Sequence, residues 1–306
     1  MQAALAVAVA AFQCSMLKDN IISKIQANGA MPIDRYMELC NTHYYSTRDP
    51  LGANGDFTTA PEISQIFGEM IAIWAIERWQ KLGSPEEFAL VELGAGRGTL
   101  MADLLRAARI VPAFQPQIHI VEISPILREK QREAIVLATW HTTLPKLNIP
   151  AIVIANEFFD ALPIKQFDGE VERKIELKNG ELQFSSKNVS RETSPVSESI
   201  MAEIAANYAG GIIIDYGYIT GSGDTFQALH KHKYVNPLEN CGEADLTAHV
   251  NFGRLAEICG GRITTQGEFL LHYGGAIRAK KLGKEADFAR LVSPEQMGEL
   301  FKVLSF

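Results

Sequence analysis

Four short apolar runs alternate with helical patterns between residues 88 and 216, and this alternation constrains the fold most strongly. The runs are FALVEL (88–93), IHIVEI (118–123), AIVIAN (151–156) and GIIIDY (211–216). Strands that are apolar along their whole length are buried on both faces, which is typical of a parallel sheet covered by helices. The pattern therefore predicts a doubly wound α/β fold with its ligand site at the carboxyl ends of the strands.

The other segments predict helices before this sheet and a small antiparallel insertion within it. In chain order they indicate two helices over 17–40 with Asp34 capping the second, a loop over 44–61, a helix over about 62–82, a β insertion over 164–189, a loop over 219–250, a strand over 262–271 and a helix over 294–304. Asn179-Gly180 is a strong signal for a hairpin turn inside the insertion. Ser124 is expected to cap the helix after the second run.

We divide the chain into three regions. Residues 1–15 are an extension outside the fold, residues 16–87 are a helical and loop segment that closes the ligand site, and residues 88–306 are the ligand-binding domain with its insertion. The apolar run at residues 3–12 is too short to span a bilayer and lacks the basic residues of a targeting signal. This favours the cytoplasm of a bacterium, with the mitochondrial matrix as the alternative.

Charge and cysteine content argue against several classes of function. The net charge of −7 disfavours a nucleic-acid surface, which needs clustered Lys and Arg, and is compatible with a basic protein partner. The four cysteines form no C-x-x-C pair, so neither a metal site nor a redox motif is predicted. No segment qualifies as transmembrane, so we expect no membrane partner. The oligomeric state is left open.

Gly94-x-Gly96-x-Gly98 lies between the first apolar run and a helix, as in nucleotide-binding loops. A dinucleotide fingerprint needs glycine or alanine where this chain has Thr99, which argues against a nicotinamide-dependent dehydrogenase. Glu92, two residues before the first glycine, can hold a cationic amino group but would repel a pyrophosphate. The segment therefore favours a sulfonium ligand, S-adenosylmethionine.

Glu122 ends the second apolar run, where a carboxylate can accept hydrogen bonds from both hydroxyl groups of a ribose. NAD enzymes share this feature, so Glu122 alone predicts an adenosine-containing ligand. With Glu92 and the three glycines, it forms the predicted cofactor site.

The segment ANEFFDALP follows the third run and is predicted to lie beside this ligand. It brings Asn156, Glu157 and Asp160 within five residues of one another. Methyl transfer to nitrogen needs an aligned lone pair and removal of a proton, and carboxylates can clamp a guanidinium group. We predict catalytic roles for these three residues, and Asn156 is also a predicted cofactor contact. Phe158 and Phe159 can equally be core residues.

The segment GDFTTAPEIS (55–64) leads into an apolar helix. Thr58 or Thr59 can cap this helix with Glu62 as the reciprocal partner. Thr58 can equally contact the ligand, and both interpretations stay open at this point.

Six blocks resemble, in order, the MidA-like family of class I methyltransferases. They are GDFTTAPEISQIFGEMI, VELGAGRGTLMADLL, VEISPILREKQ, ANEFFDALPI, IDYG and GEADLTAHVNF. The resemblance implies a Rossmann-like sheet of seven strands, with S-adenosylmethionine at Gly94–Gly98 and Glu122. It also implies that the loop with Thr58 helps to close the donor site and that Trp140 lies near the adenine. By analogy with a Thr-His element of other arginine methyltransferases, His249 is a further catalytic candidate.

This family includes the mitochondrial complex I assembly factor that dimethylates an arginine on a 49-kDa-type subunit of NADH:ubiquinone oxidoreductase. The resemblance therefore implies a protein arginine N-methyltransferase that acts on such a subunit and supports its assembly. Two alternatives keep the fold. One is a methyltransferase for a small molecule or another type of residue, and the other is an assembly or binding protein without turnover.

Overall fold

A computed structural model describes residues 16–49, 58–221 and 223–306. The chain forms two units, each built from separate stretches of sequence. The first unit comprises Met1–Arg48, Ala161–Ser197 and Gly221–Ala248, and the second comprises Asp49–Asp160, Glu198–Thr220 and His249–Phe306. The predicted division at residues 87 and 88 stays a prediction, and the stretches on both sides of it belong to the second unit.

The elements of the described residues are numbered in chain order. The helices are α1 (16–28), α2 (Ile33–Thr47), α3 (Ala60–Ile63), α4 (Gln65–Lys81), α5 (Thr99–Ala108), α6 (Pro125–Ala134), α7 (Pro195–Asn207), α8 (Phe252–Cys259), α9 (Gln266–His272), α10 (Gly275–Leu282), α11 (Glu285–Val292) and α12 (Met297–Leu300). The strands are β1 (Met31–Pro32), β2 (Ala89–Leu93), β3 (Gln117–Val121), β4 (Ala138–His141), β5 (Ala151–Asn156), β6 (Lys165–Asp168), β7 (Val171–Lys178), β8 (Glu181–Phe184), β9 (Arg191–Thr193), β10 (Gly210–Tyr218), β11 (Gln227–His230), β12 (Lys233–Val235), β13 (Asp245–Thr247), β14 (Val250–Asn251), β15 (Arg262–Thr265) and β16 (Phe301–Ser305).

The second unit contains the predicted seven-stranded sheet. Its strands lie in the order β15-β16-β10-β5-β2-β3-β4, and the two-residue strand β14 also pairs with β10. Strands β10, β5, β2, β3 and β4 are parallel, whereas β16 is antiparallel to both of its neighbours. The central strands β2 and β5 are buried at every position, as their apolar sequences predict. The doubly wound, mostly parallel fold is confirmed.

The first unit contains the predicted antiparallel insertion. Strands β7 and β8 pair with Lys178 opposite Glu181, and the turn between them is Asn179-Gly180. Both turn residues have positive φ, 53° and 83°, as the tight hairpin requires. The same sheet continues through β6 to β9 and includes β1. A second sheet, with the order β12-β11-β13, occupies part of the 219–250 stretch, so the predicted loop there is wrong.

Several predicted boundaries are also wrong, each for a local reason. Helix α2 begins after Pro32 without a side-chain cap, so Asp34 lies in its first turn and is not the cap. The helix predicted over 62–82 is interrupted at Ser64, whose backbone is extended and whose hydroxyl accepts from the amide of Ile66. The cap predicted at Ser124 is confirmed, because its side chain accepts from the amide of Leu127.

The largest error is at the end of the chain, where residues 301–304 were predicted as helix. Helix α12 ends at Leu300, and Phe301–Ser305 form β16 between β10 and β15. Pairing with two strands satisfies the backbone of this segment on both edges, and this tertiary gain outweighs the weak local helical pattern.

Among the residues that the structure describes, every helix is too short or too polar to cross a membrane. In the same part of the chain, His, Cys, Asp and Glu side chains do not gather in groups of three or more that could hold a metal ion.

Candidate functional site

The glycine segment forms a tight turn between β2 and α5 in the second unit. Gly94, Gly96 and Gly98 have φ angles of 62°, 54° and 83°, a region that side chains other than glycine rarely adopt. A Cβ atom on Gly94 would lie 2.9 Å from Cδ2 of Phe158. The turn is thus closely packed on the side of Phe158 and lies at the carboxyl edge of the sheet, where ligands bind in this fold class.

Glu92 lies in β2 directly before this turn and is buried. Its Oε2 atom has no hydrogen-bond partner among the described residues. Burial raises the pKa of Glu92 to about 8, and the negative charge of Glu122 adds to this effect. A buried carboxyl group without a partner is costly, so this site favours a ligand that supplies a cation or a hydrogen-bond donor.

Glu122 is buried at the end of β3 and is held by two donors. Its Oε1 accepts from the amide of Ser124 at 2.8 Å, and its Oε2 accepts from Nε2 of Gln131 at 3.1 Å. Burial raises the pKa of Glu122, whereas these two hydrogen bonds oppose the rise. The carboxylate therefore has a fixed orientation before any ligand arrives.

Trp140 lies in β4 and contacts the side-chain amide of Gln131. Its indole Nε1 donates to Oε1 of Gln131 at 2.9 Å, and the guanidinium carbon of Arg132 lies 5.2 Å from the centroid of its ring. Gln131 also donates to the carbonyl oxygen of Gly96 at 2.8 Å. The structure thus connects the glycine turn, Glu122 and Trp140 through one side chain that the sequence did not single out.

Asn156 and Glu157 follow each other at the end of β5. Nδ2 of Asn156 donates to Oε1 of Glu157 at 3.1 Å, and the amide of Ala60 donates to the same oxygen at 3.0 Å. Glu157 has a φ of 50°, which is unusual for a residue other than glycine and marks a strained turn. Burial raises its pKa to about 7, because the nearby charge of Asp160 adds to the effect and the two donors offset it only in part.

Asp160 belongs to a second set of contacts around strand β10. The hydroxyl of Tyr216 donates to its Oδ2 at 2.5 Å. Oδ2 of the buried Asp215 accepts from the backbone amides of Phe159 and Asp160 at 3.0 and 3.1 Å. Burial raises the pKa of Asp215 well above its usual range, and the charges of Asp160 and Glu157 add to it. Three carboxyl groups are thus concentrated here, two directly after β5 and one within β10.

His249 lies beside this group of carboxyl residues. Its ring packs edge-on against Tyr216, with centroids 5.4 Å apart and an interplanar angle of 78°. Burial lowers the pKa of His249, so the neutral imidazole is favoured near pH 7. Through Tyr216, the structure places two sequence-predicted residues, Asp160 and His249, in one neighbourhood.

The segment with Thr58 does not form the predicted helix cap, and its Glu62 makes a different contact. Thr58 is exposed, and Thr59 precedes α3 without forming a side-chain cap, so the predicted capping pair with Glu62 is wrong. Oε1 of Glu62 accepts instead from the hydroxyl of Thr99 at 2.5 Å. Gly55, Asp56 and Phe57 of the predicted loop lie outside the described residues, as do residues 1–15.

A model of the family of S-adenosyl-L-methionine-dependent methyltransferases matches residues 70–190 and 170–268 of this chain. The chain belongs to this family. It is therefore a methyltransferase, and its cofactor is S-adenosylmethionine.

Relatives and a solved structure agree with this assignment. The chain is 34% identical to the mitochondrial protein arginine methyltransferase NDUFAF7 of Xenopus tropicalis, over 94% of this chain and 85% of that protein. It is 33% identical to the corresponding Drosophila melanogaster homologue, over 94% and 84% of the two chains. A crystal structure from Burkholderia thailandensis with bound S-adenosyl-homocysteine superposes with a TM-score of 0.86, at 25% identity, and covers 96% of this chain and 92% of that chain.

The residues of the second unit suit this cofactor. Directly before the glycine turn, Glu92 offers a buried oxygen to which none of the described residues donates a hydrogen bond. At its three glycines, the turn has backbone angles that residues with side chains rarely adopt. Both features match a ligand that carries a cationic amino group and must approach the backbone closely.

Three residues of this site were missed by the sequence analysis: Gln131, Asp215 and Tyr216. The last two stand in the IDYG block, which showed only an apolar strand. Gln131 closes the block VEISPILREKQ, where a polar residue is expected on the exposed face of a helix. Its complete burial was therefore not visible in the sequence.

Replacement of Glu122 by alanine is expected to weaken binding of S-adenosyl-homocysteine by about 1–3 kcal/mol, the range for a lost charged hydrogen bond at a buried site. Isothermal titration of the two proteins gives this difference directly. An unchanged dissociation constant would exclude Glu122 from contact with the ligand.

Proposed function

We propose that this chain transfers a methyl group from S-adenosylmethionine to a guanidinium nitrogen of an arginine in a protein. The observation that carries this proposal is the concentration of three carboxyl groups, Glu157 and Asp160 directly after β5 and Asp215 within β10. Strand β5 is the direct neighbour of β2, which leads into the glycine turn. The names of the relatives, protein arginine methyltransferase, support the same acceptor.

The donor side of the site is formed by Glu92, Glu122 and the glycine turn. Glu92 would hold the amino group of the methionyl part, and Glu122 would accept from the ribose hydroxyls. Asn156, Thr58 and Trp140 are proposed as further contacts, with Trp140 near the adenine. When bound, the cofactor supplies an electrophilic methyl group on its sulfonium sulfur.

The acceptor side is formed by the carboxyl residues that follow β5. Glu157 and Asp160 would clamp the guanidinium group and hold one nitrogen in line with the methyl group. As the new N–C bond forms, the bond between the methyl group and sulfur breaks, S-adenosyl-homocysteine is left, and the nitrogen loses one proton. Glu157, with a pKa near 7, suits the role of proton acceptor at neutral pH, and Asn156 fixes its orientation. His249 is proposed as a second group that can accept this proton, since burial lowers the pKa of its imidazole and keeps it neutral near pH 7.

The proposed substrate is a 49-kDa-type subunit of NADH:ubiquinone oxidoreductase, whose assembly the methylation would support. This rests on the family resemblance of the six sequence blocks. The NDUFAF7 relatives are named as mitochondrial proteins, and the solved neighbour is bacterial. Either the mitochondrial matrix or the bacterial cytoplasm would place the enzyme beside this subunit during assembly.

The test is incubation of the purified protein with methyl-labelled S-adenosylmethionine and the isolated subunit, followed by mass spectrometry of the peptides. The proposal expects label on arginine, and no label with the Gly96→Val variant. Label on another residue type, or on a small molecule added in competition, would replace the acceptor assignment. If no acceptor is labelled and Gly96→Val still supports assembly in cells, the role is that of an assembly protein without turnover.

Replacement of Asp160 by alanine is expected to reduce kcat by about 10²-fold or more, with little change in the dissociation constant of S-adenosyl-homocysteine. The reason is that Asp160 is proposed to contact the acceptor and not the donor. Steady-state kinetics with methyl-labelled S-adenosylmethionine and the subunit, and titration with S-adenosyl-homocysteine, measure the two effects separately. Equal losses in both quantities would place Asp160 in the donor site.

A further inference from the structure

The side chain of Gln131 contacts three parts of the donor site at once. Its Nε2 atom donates to the carbonyl of Gly96 at 2.8 Å and to Oε2 of Glu122 at 3.1 Å. Its Oε1 atom accepts from the indole of Trp140 at 2.9 Å. The residue is completely buried, although it lies in α6, a helix with mostly polar residues.

These contacts leave the amide only one orientation. A primary amide has two donor hydrogens on nitrogen, and both are used, by a carbonyl and by a carboxylate. The indole nitrogen can only donate, so it must face the amide oxygen. Rotation of the amide by 180° would place an acceptor against an acceptor at Gly96 and Glu122, and a donor against a donor at Trp140. In a buried site each polar group without a hydrogen-bond partner carries a desolvation penalty, so the observed orientation of the amide is strongly favoured.

We propose that Gln131 is the positioning residue of the donor site, which holds the Glu122 carboxylate and the glycine turn in the one arrangement that binds the adenosyl group. The inference rests on the proposed donor role of Glu122. Gln131 acts through its neighbours: it fixes one oxygen of Glu122, while the amide of Ser124 fixes the other. It also fixes the backbone at the middle glycine of the turn.

Two substitutions separate the parts of this role. Gln131→Met keeps the length of the side chain and removes all three hydrogen bonds. Gln131→Glu keeps an oxygen acceptor for Trp140, removes both donations and adds a negative charge beside Glu122. Gln115 is exposed and donates to the carbonyl of Pro112, so Gln115→Met and Gln115→Glu are matched controls away from the site.

The experiment is titration of each variant with S-adenosyl-homocysteine at pH 7.5, together with its thermal unfolding without ligand. We expect Gln131→Met to weaken binding about 10- to 100-fold and Gln131→Glu to weaken it at least as much. The Gln115 variants should bind within twofold of the unchanged protein. Because no acceptor is needed, the result does not depend on the arginine assignment.

A double-mutant cycle with Glu122→Ala tests whether Gln131 acts through Glu122. If it does, the double variant Glu122→Ala/Gln131→Met loses clearly less affinity than the product of the two single losses. Independent, multiplicative losses would overturn the inference, as would wild-type affinity in either folded Gln131 variant. If Glu122→Ala alone leaves affinity unchanged, the proposed role of Glu122 fails, which is a distinct outcome.

Measured kinetics provide the readout that a purely structural role would not change. With methyl-labelled S-adenosylmethionine and an acceptor that the enzyme methylates, Gln131→Met should raise the KM for S-adenosylmethionine by the same factor as the dissociation constant. Its kcat at saturating donor should stay within about threefold of the unchanged enzyme. If kcat fell by the factor expected for KM, and KM did not change, this would contradict a positioning role in donor binding.

Discussion

Replacement of Glu92 by glutamine is expected to weaken binding of S-adenosyl-homocysteine by roughly 10- to 100-fold and, at the same time, to make the ligand-free protein more stable. Glu92 is a buried acid, and its Oε2 has no partner among the described residues. In the free protein this group is a cost, because burial disfavours its charged form. In the complex it would contact the ligand's amino group, so the same feature favours binding.

The pH dependence of stability follows from the raised pKa of Glu92, about 8 in the folded protein. The unfolded chain ionises this group near pH 4.3, so between about pH 4.3 and 8 the folded state holds a proton that the unfolded state has lost. The contribution of Glu92 to stability therefore falls as pH rises through this window. Glu92→Gln removes this contribution, so its advantage over the unchanged protein should grow from pH 5 to pH 8.

Ligand binding is expected to favour the ionised form of Glu92, whereas folding favours its protonated form. The cationic amino group of S-adenosyl-homocysteine favours the ionised carboxylate, so binding near pH 7 should release a proton from Glu92. Titration in buffers of different ionisation enthalpy counts this proton, and denaturant unfolding at pH 5 and pH 8 gives the stability change. Glu86 is exposed, so Glu86→Gln serves as the matched control. A Glu92→Gln variant with the affinity and proton release of the unchanged protein would remove Glu92 from the donor site.

The sheet and its glycine turn could be predicted because their signals are local. Strands β2 and β5 are buried at every position, so their sequences contain almost only apolar residues. The turn needs positive φ at Gly94, Gly96 and Gly98, and glycine supplies this freely. Both constraints act on neighbouring residues and are therefore visible in the sequence.

The contacts that complete the site could not be predicted because they depend on distant pairings. The amide of Gln131 donates to the carbonyl of Gly96, which lies 35 residues earlier in the chain. Asp215 acquires its role when the chain after β5 turns back and directs the amides of Phe159 and Asp160 at its carboxylate. A single sequence shows neither long-range contact.

The same reason explains the error at the end of the chain. The sequence of β16 has no strong preference, and its conformation is decided by pairing with β10 and β15. β-structure of this kind depends on context more than helix does. Local pattern therefore predicted a helix where tertiary pairing forms a strand.

Replacement of Gly94 by alanine is expected to weaken binding of S-adenosyl-homocysteine at least tenfold and to lower kcat as well. The backbone at Gly94 has a φ of 62°, and an added Cβ would lie 2.9 Å from Cδ2 of Phe158. Alanine in this region costs about 1 kcal/mol before any contact is considered. The contact with Phe158 adds a second cost, because either the ring or the turn must move.

Gly260 is the matched control for the backbone cost alone. Its φ is 68°, it directly follows helix α8, and an added Cβ would meet no atom of the described residues within 4 Å. Gly260→Ala should therefore lower the free energy of unfolding by about 1 kcal/mol and leave affinity for S-adenosyl-homocysteine unchanged. The difference between the two variants isolates the effect of the Phe158 contact on the site.

Phe158 also explains why the effect should reach turnover. It lies between Glu157 and Asp160, so displacement of its ring would disturb the proposed acceptor carboxylates as well as the donor turn. Adding Phe158→Leu to Gly94→Ala should restore part of the lost stability, because the smaller side chain leaves room for the new Cβ, and the two changes should be non-additive. If Gly94→Ala and Gly260→Ala have equal effects on stability, affinity and kcat, the close packing of Phe158 on the glycine turn does not link the donor and acceptor sides of the site.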